Sequence, residues 1–199
     1  MQEPVRPGFY FCTKKWLDAA GACVWGTLAI AQAHAGGLMG WILAAQAGLA
    51  AFRLVFRDRP EREAAWWQRA AAWGLALWPV LAFRPGGRAT WWAVGMQTAG
   101  VATALWAMLA LGRSFGIAPA DRGLVRHGPY RFIRHPMYAG EWICGLAVLV
   151  AAPTWGNGVA MAVLTVGLVL RVRWEEAVLG GEYEQYRREV QWRILPGVW

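Results

Sequence analysis

The chain has 199 residues, 57% hydrophobic and only 16% charged, with a net charge of +8. A soluble domain carries roughly 25% charged residues, whereas here apolar runs long enough to cross a ~30 Å hydrocarbon layer recur, so a polytopic membrane protein is predicted. The bases are 18 Arg and two Lys, and all but Arg84 and Arg88 fall on one side of the spans below; this is a topology signal with both termini cytoplasmic, and it excludes a nucleic-acid module.

In chain order, residues 1–15 form a cytoplasmic lead, and Trp16 to Ala35 reads as a first span, anchored by Trp16 and closed by Gly36-Gly37. No signal-cleavage pattern stands out, so this span is expected to be retained. Leu38 to Phe56 is the second span, and the mixed charges of Arg57 to Glu63 read as a solvated connection. Trp66 to Phe83 is the third, Arg84 to Arg88 a tight outer turn, and Trp91 to Leu111 the fourth. A long connection, Gly112 to Arg134, follows. Pro136 then opens a fifth span running to about Ala152, since proline suits the first turn of a helix. Pro153 to Gly158 is a turn, Val159 to about Trp174 a sixth span, and Ala177 to Trp199 an amphipathic tail that lies on the membrane or covers a site. The last two spans are short, so five to six are expected. Many of the 15 Trp sit near span ends, as interfacial belts require. Cys12, Cys23 and Cys144 show no paired spacing, so neither a disulfide framework nor a metal site is expected. Ala, Gly, Arg and Trp are used heavily and Lys hardly at all, a composition that suggests a GC-rich bacterial genome, and the expected location is a bacterial inner membrane.

Polar chemistry concentrates in two places. From Gly128 to Glu141, two prolines, two glycines, two tyrosines, two arginines, a histidine and a glutamate crowd the mouth of the fifth span. There Arg134, Tyr138 and Glu141 share a helical face with His135 beside it, and a helix N-terminus favours an anionic group. Glu141, one to two turns inside a span, requires a polar cavity or a partner. At the end of the sixth span Arg171 and Glu175 share a face, with Glu176 on the neighbouring one. The fifth and sixth spans form a hairpin, so both clusters lie at one membrane surface. Singly, each residue could be an ordinary headgroup anchor; their convergence is what predicts a site.

These residues carry a resemblance. Leu111-Gly112-Arg113-Ser114-Phe115, Leu124-Val125 before Gly128-Pro129-Tyr130, Arg134-His135-Pro136-x-Tyr138-x-Gly140, Arg171-x-x-x-Glu175-Glu176 and the trailing Tyr183-x-x-Tyr186 together resemble the isoprenylcysteine carboxyl methyltransferase family and its phospholipid methyltransferase relatives. The similarity spans roughly residues 108–196. One departure is a short segment, Ala177 to Glu182, with Gly180-Gly181 where the family usually has a longer stretch containing Phe-Gly.

The resemblance implies an all-α transmembrane bundle whose cytoplasmic pocket, built by the C-terminal hairpin, loop and tail, binds S-adenosyl-L-methionine and releases S-adenosyl-L-homocysteine. Residues 1–107 would serve as scaffold and acceptor-binding helices, and residues 108–199 as the cofactor-binding half. Carried over by position, Gly123, Leu124, Val125, Tyr130, Arg134, His135, Pro136, Met137, Tyr138, Glu175 and Glu176 are the expected cofactor residues. Arg171 would meet the polar head of a lipidic or apolar acceptor drawn from the bilayer, and Arg171, Glu175 and Glu141 are the expected catalytic residues. A carboxylate acceptor, as on an isoprenylcysteine, is already ionised and needs only orientation by Arg171. An amine acceptor, as in phosphatidylethanolamine, must lose a proton, to Glu141 or Glu176. No metal is implied. A nicotinamide-dependent sterol-reductase-like enzyme and a non-enzymatic membrane scaffold are the competing readings.

Overall fold

The computed structural model describes residues 7–35, 37–84 and 90–199, with the side chains of residues 7–18, 32, 35, 37–40 and 42 left aside. The outer turn expected around Pro85 to Arg88, and Gly36, lie outside the described residues. The chain divides into two compact units, residues 1–57 and 58–199.

The first unit is a pair of packed helices, α1 (Pro7–Ala35) and α2 (Gly37–Val55). Helix α1 begins nine residues ahead of the expected span, because Pro7 falls at its first position, where a missing N–H costs nothing. The lead is therefore helical from Pro7 onward.

The second unit holds α3 (Trp66–Ala82), α4 (Trp91–Leu111), α5 (Pro136–Ala151), α6 (Trp155–Val178) and α7 (Glu182–Glu189). Helix α4 with the turn after it, Trp91–Ser114, and α6 are long and apolar enough to cross a membrane; α5 and stretches of the first two helices are shorter apolar helices. Lipid tails are as apolar as leucine, so helices in a bilayer associate by close packing rather than by escape from water. Helices α4 and α5 do this through glycine: a Cβ on Gly140 would lie 2.8 Å from the Ala104 nitrogen, and one on Gly100 would lie 2.7 Å from Cys144 Sγ. Helices α5 and α6 enclose a core of Tyr138, Ala139, Leu164, Leu168 and Val172, and Trp142 Nε1 donates to Thr165 Oγ1 at 3.1 Å. Trp66, Trp91, Trp92 and Trp155, all at helix starts, are exposed, as interfacial anchors are.

Helix α6 starts four residues before the expected span and ends four after it. Thr154 caps it, accepting from the Asn157 amide at 3.2 Å. Asn157, fully buried, accepts from the Arg84 amide (2.9 Å) and donates to the carbonyls of Arg84 (3.1 Å) and Ala152 (2.9 Å), which ties the end of α3 to the α5–α6 turn.

The stretch expected to be a solvated connection is structured. Arg62–Glu63 (β1) pairs antiparallel with Ala120–Asp121 (β2). On either side the Glu61 amide donates to the Asp121 carbonyl (2.8 Å), Ala64 to Pro119 (3.2 Å) and Asp58 to Arg113 (2.8 Å). Mixed charge hid this, because the backbone and not the side chains makes the pairing. The tail is likewise only partly helical: beyond α7 it loses regular structure and folds into a turn in which the Arg193 and Ile194 amides donate to the Trp199 carbonyl, and Ile194 seats in the core under the hairpin.

Candidate functional site

Arg134 and His135 approach α5 in non-helical backbone, and Pro136 starts the helix. Their amides are satisfied by the returning tail, Arg134 N–H donating to the Trp192 carbonyl and His135 N–H to that of Arg193, both at 2.8 Å. The sequence therefore places two polar side chains, each largely buried, at the mouth of the hairpin and locks their backbone from the far end of the chain.

A cavity opens beside them. The loop between α4 and α5 contributes Gly123, Leu124, Val125 and Tyr130 to its lining; the start of α5 contributes Arg134, His135, Met137 and Tyr138; and α6 contributes Glu175. Nine of the expected cofactor residues thus come together, while Pro136 and Glu176 do not line the cavity. Gly123 has a φ of +89° and no atom within 4 Å of where a Cβ would stand, so the loop turns there in the left-handed region and leaves the approach open. Tyr183 and Tyr186 of α7, with Arg122 and Leu179, complete the wall. The two tyrosines are part of the family pattern but were not among the expected site residues. Their spacing of three on a helix, both turned to one face, was the available signal.

A continuous polar chain runs behind the lining. Tyr138 donates its hydroxyl to Glu175. His135 places Nδ1 3.6 Å from Glu175 Oε2 and Nε2 3.3 Å from Glu176 Oε1, with its ring nearly parallel to that of Tyr138 at 5.7 Å. Burial alone would lower the pKa of His135, but the two carboxylates together outweigh it and raise it above the ordinary value of 6.5. Tyr130 is held well above 10, first by burial and then by the Glu175 charge, so it stays a neutral phenol.

Arg171 and Glu141 sit deeper, outside the lining. Arg171 is buried to 1% exposure, donates to Glu141 Oε2 at 3.1 Å and lies 4.5 Å over the Tyr138 ring. Its Nε has no acceptor. The two residues are thus each other's partners, which the requirement for a partner to Glu141 anticipates. Glu176 faces away from the cavity and collects Arg134 (3.0 Å), His135 and both Nε and Nη2 of Arg193. Arg193 is a residue the sequence reading missed. Adjacent positions on a helix point about 100° apart, so of the Glu175–Glu176 pair only one can face the cavity. Among the described residues there is no cluster of His, Cys, Asp and Glu able to hold a metal ion.

Residues 89–186, the segment that builds the cavity's floor and most of its walls, match the phospholipid methyltransferase family. The family resemblance read from the motifs is therefore borne out over this segment, and the match supports a membrane methyltransferase. Among solved structures, that of the eukaryotic intramembrane Ras methyltransferase ICMT (isoprenylcysteine carboxyl methyltransferase) is similar at 15% identity, covering 91% of this chain and 75% of that one, with a TM-score of 0.42. No curated protein matches the chain.

Proposed function

We propose that the protein is an S-adenosylmethionine-dependent methyltransferase whose acceptor is a lipidic molecule reached from the bilayer. The observation that carries this reading is the cavity within the family-matched segment, which combines one carboxylate, aromatic faces and cationic donors. The donor set suits a sulfonium amino-acid nucleoside. Glu175 suits its ammonium or ribose hydroxyls, Tyr130 and Tyr138 offer aromatic faces to the cationic sulfur or adenine, and His135 with Arg134 suits its carboxylate. When bound, the cofactor supplies an electrophilic methyl group.

The chain's own residues then position and desolvate. Tyr138, held between the Glu175 hydrogen bond and the Arg171 guanidinium, fixes the boundary between the cavity and the buried pair. Methyl transfer is an in-line displacement, so orientation is the main contribution a protein can make, up to ~7–11 kcal/mol in favourable cases. In this reading residues 108–199 hold the cofactor, the earlier helices form scaffold and acceptor surface across five to six spans, and site and termini face the cytoplasm of a bacterial inner membrane.

Two acceptors fit. Carboxyl O-methylation, as on an isoprenylcysteine, uses Arg171 to orient an ionised oxygen. Phospholipid amine N-methylation would need Glu141 or Glu176 to take the proton, and the pairing of Glu141 with Arg171 leaves less positive charge there to hold an anionic acceptor. Purified protein in detergent should bind S-adenosylhomocysteine by calorimetry, in preference to NADPH. Glu175→Ala should abolish that binding, and Arg171→Ala should retain it while losing turnover. Labelled methyl groups transferred to membrane extracts separate the acceptors, because methyl esters release methanol in alkali and N-methyl groups do not. Failure to bind S-adenosylhomocysteine would overturn the assignment.

A further inference from the structure

The aromatic wall formed by Tyr183 and Tyr186 belongs to an eight-residue helix, too short to be stable alone in water. Something must fasten it. Tyr186 donates to the Tyr130 carbonyl at 2.7 Å, and Tyr183 accepts from Arg134 Nη1 at 2.7 Å. Arg134 is itself held by Glu176 at 3.0 Å and donates to the Gln191 carbonyl at 3.0 Å. The links through Arg134 run beside the Glu176 carboxylate, and one residue of the tail grips both oxygens of Glu176.

That residue is Arg193. Its Nε reaches both oxygens of Glu176 (3.0 and 3.1 Å) and its Nη2 reaches Oε2 (3.0 Å), while its guanidinium lies 5.2 Å from the Trp199 ring. It stands between α7, which supplies the cavity wall, and Ile194, which is seated in the core. A planar fork on a carboxylate fixes direction as well as distance, which a lysine ammonium cannot do.

We propose that Arg193 is a positioning residue: by gripping both oxygens of Glu176 it fastens the tail across the helical hairpin and sets the Tyr183–Tyr186 wall against the cofactor cavity. It touches neither the cavity nor any reacting atom. The proposal rests on the cofactor reading of that cavity for its functional consequence, but its structural half stands independently. It also gives the shortened Ala177 to Glu182 connection a reason to work. With little chain between α6 and α7, the wall's placement is set from its far end.

The test uses the full-length protein in detergent, with Arg193→Gln and Arg193→Lys, and two readouts. Amide hydrogen exchange over residues 182–194 should accelerate in Arg193→Gln while exchange in α4 and α5 stays at the wild-type rate, and affinity for S-adenosylhomocysteine should fall about tenfold. Arg193→Lys, with a charge but no fork, should fall between. Unchanged exchange over residues 182–194, or acceleration spread equally over α4 and α5, overturns the fastening. Faster local exchange with undiminished affinity overturns the positioning of the wall. Should wild-type protein bind no S-adenosylhomocysteine, the cofactor reading fails and the exchange measurement alone decides the fastening. If Arg193→Gln does not fold, Arg193→Lys carries both readouts.

Discussion

Replacing Arg171 with methionine tests how the centre of the hairpin is held together. The Arg171 side chain is 2% exposed and that of Glu141 27%, so Arg171→Met leaves a carboxylate facing an apolar interior with its partner gone. Breaking a buried pair from one side costs about 3–5 kcal/mol, because the surviving charge keeps its desolvation penalty. At 1.4 kcal/mol per decade that is roughly two to three and a half powers of ten in the unfolding equilibrium. Removing both charges, as Arg171→Met with Glu141→Leu, should return most of the loss, since an apolar pair of similar volume is often neutral or better in such a place. The measurement is unfolding by a denaturing detergent in mixed micelles, followed by tryptophan fluorescence, on wild type, both single variants and the double. A single variant within about 1 kcal/mol of wild type, or a double variant as weak as Arg171→Met, would refute the reasoning. Turnover should be absent in the double variant despite its recovered stability, because Arg171 is also the group proposed to orient the acceptor.

Three further outcomes are expected. Gly140→Ala forces a methyl to within 2.8 Å of the Ala104 backbone nitrogen, and since backbone cannot step aside it should destabilise by about 1–3 kcal/mol, seen as a lower thermal midpoint. Asn157→Leu leaves the buried Ala152 carbonyl, and the Arg84 amide and carbonyl, without the partner they have now, a loss of about 1–3 kcal/mol for unsatisfied groups, whereas an exposed control such as Gln185→Leu should change little. The raised pKa of His135, in which the Glu175 and Glu176 carboxylates overcome burial, means its contribution is complete below the ordinary value of 6.5 and is lost as pH climbs through the raised one. Thermal stability should therefore drop across that alkaline window, and His135→Gln should flatten the slope; an unaltered slope in the variant would count against the assignment.

The parts of the fold legible in the sequence were those with a local chemical signal. The starts of α3, α4 and α5 were fixed by interfacial tryptophans and by Pro136, and the convergence of Arg134 to Tyr138 with Arg171 to Glu176 followed from hairpin topology alone. The start of α6 was misjudged because Thr154 and Asn157, read as turn residues, are a cap and a buried clasp. The β1–β2 pairing could not be read, since a two-residue strand has no periodicity and Arg62 and Glu63 are residue types with no preference for it. Arg171 and Glu141 were both singled out, yet their mutual pairing depends on the rotation of two helices about their axes, which no spacing rule supplies. Arg193 lay in a stretch read as amphipathic helix, where one more arginine carried no distinguishing mark.

Helix α3 is moored to α6 and its neighbours at and near both extremities. Asn157 holds the Arg84 end, the Ala64 and Glu61 amides hold the other through Pro119 and Asp121, and between them Trp78 Nε1 donates to the Ala160 carbonyl at 3.3 Å while Trp67 meets Trp174 edge-on. A rod pinned toward both ends does not swing. Any breathing that admits a bulky molecule to the cavity is thus directed away from this seam, toward the short helix and the tail that follows it, whose ties to Glu176, Arg134 and Tyr130 would have to open together.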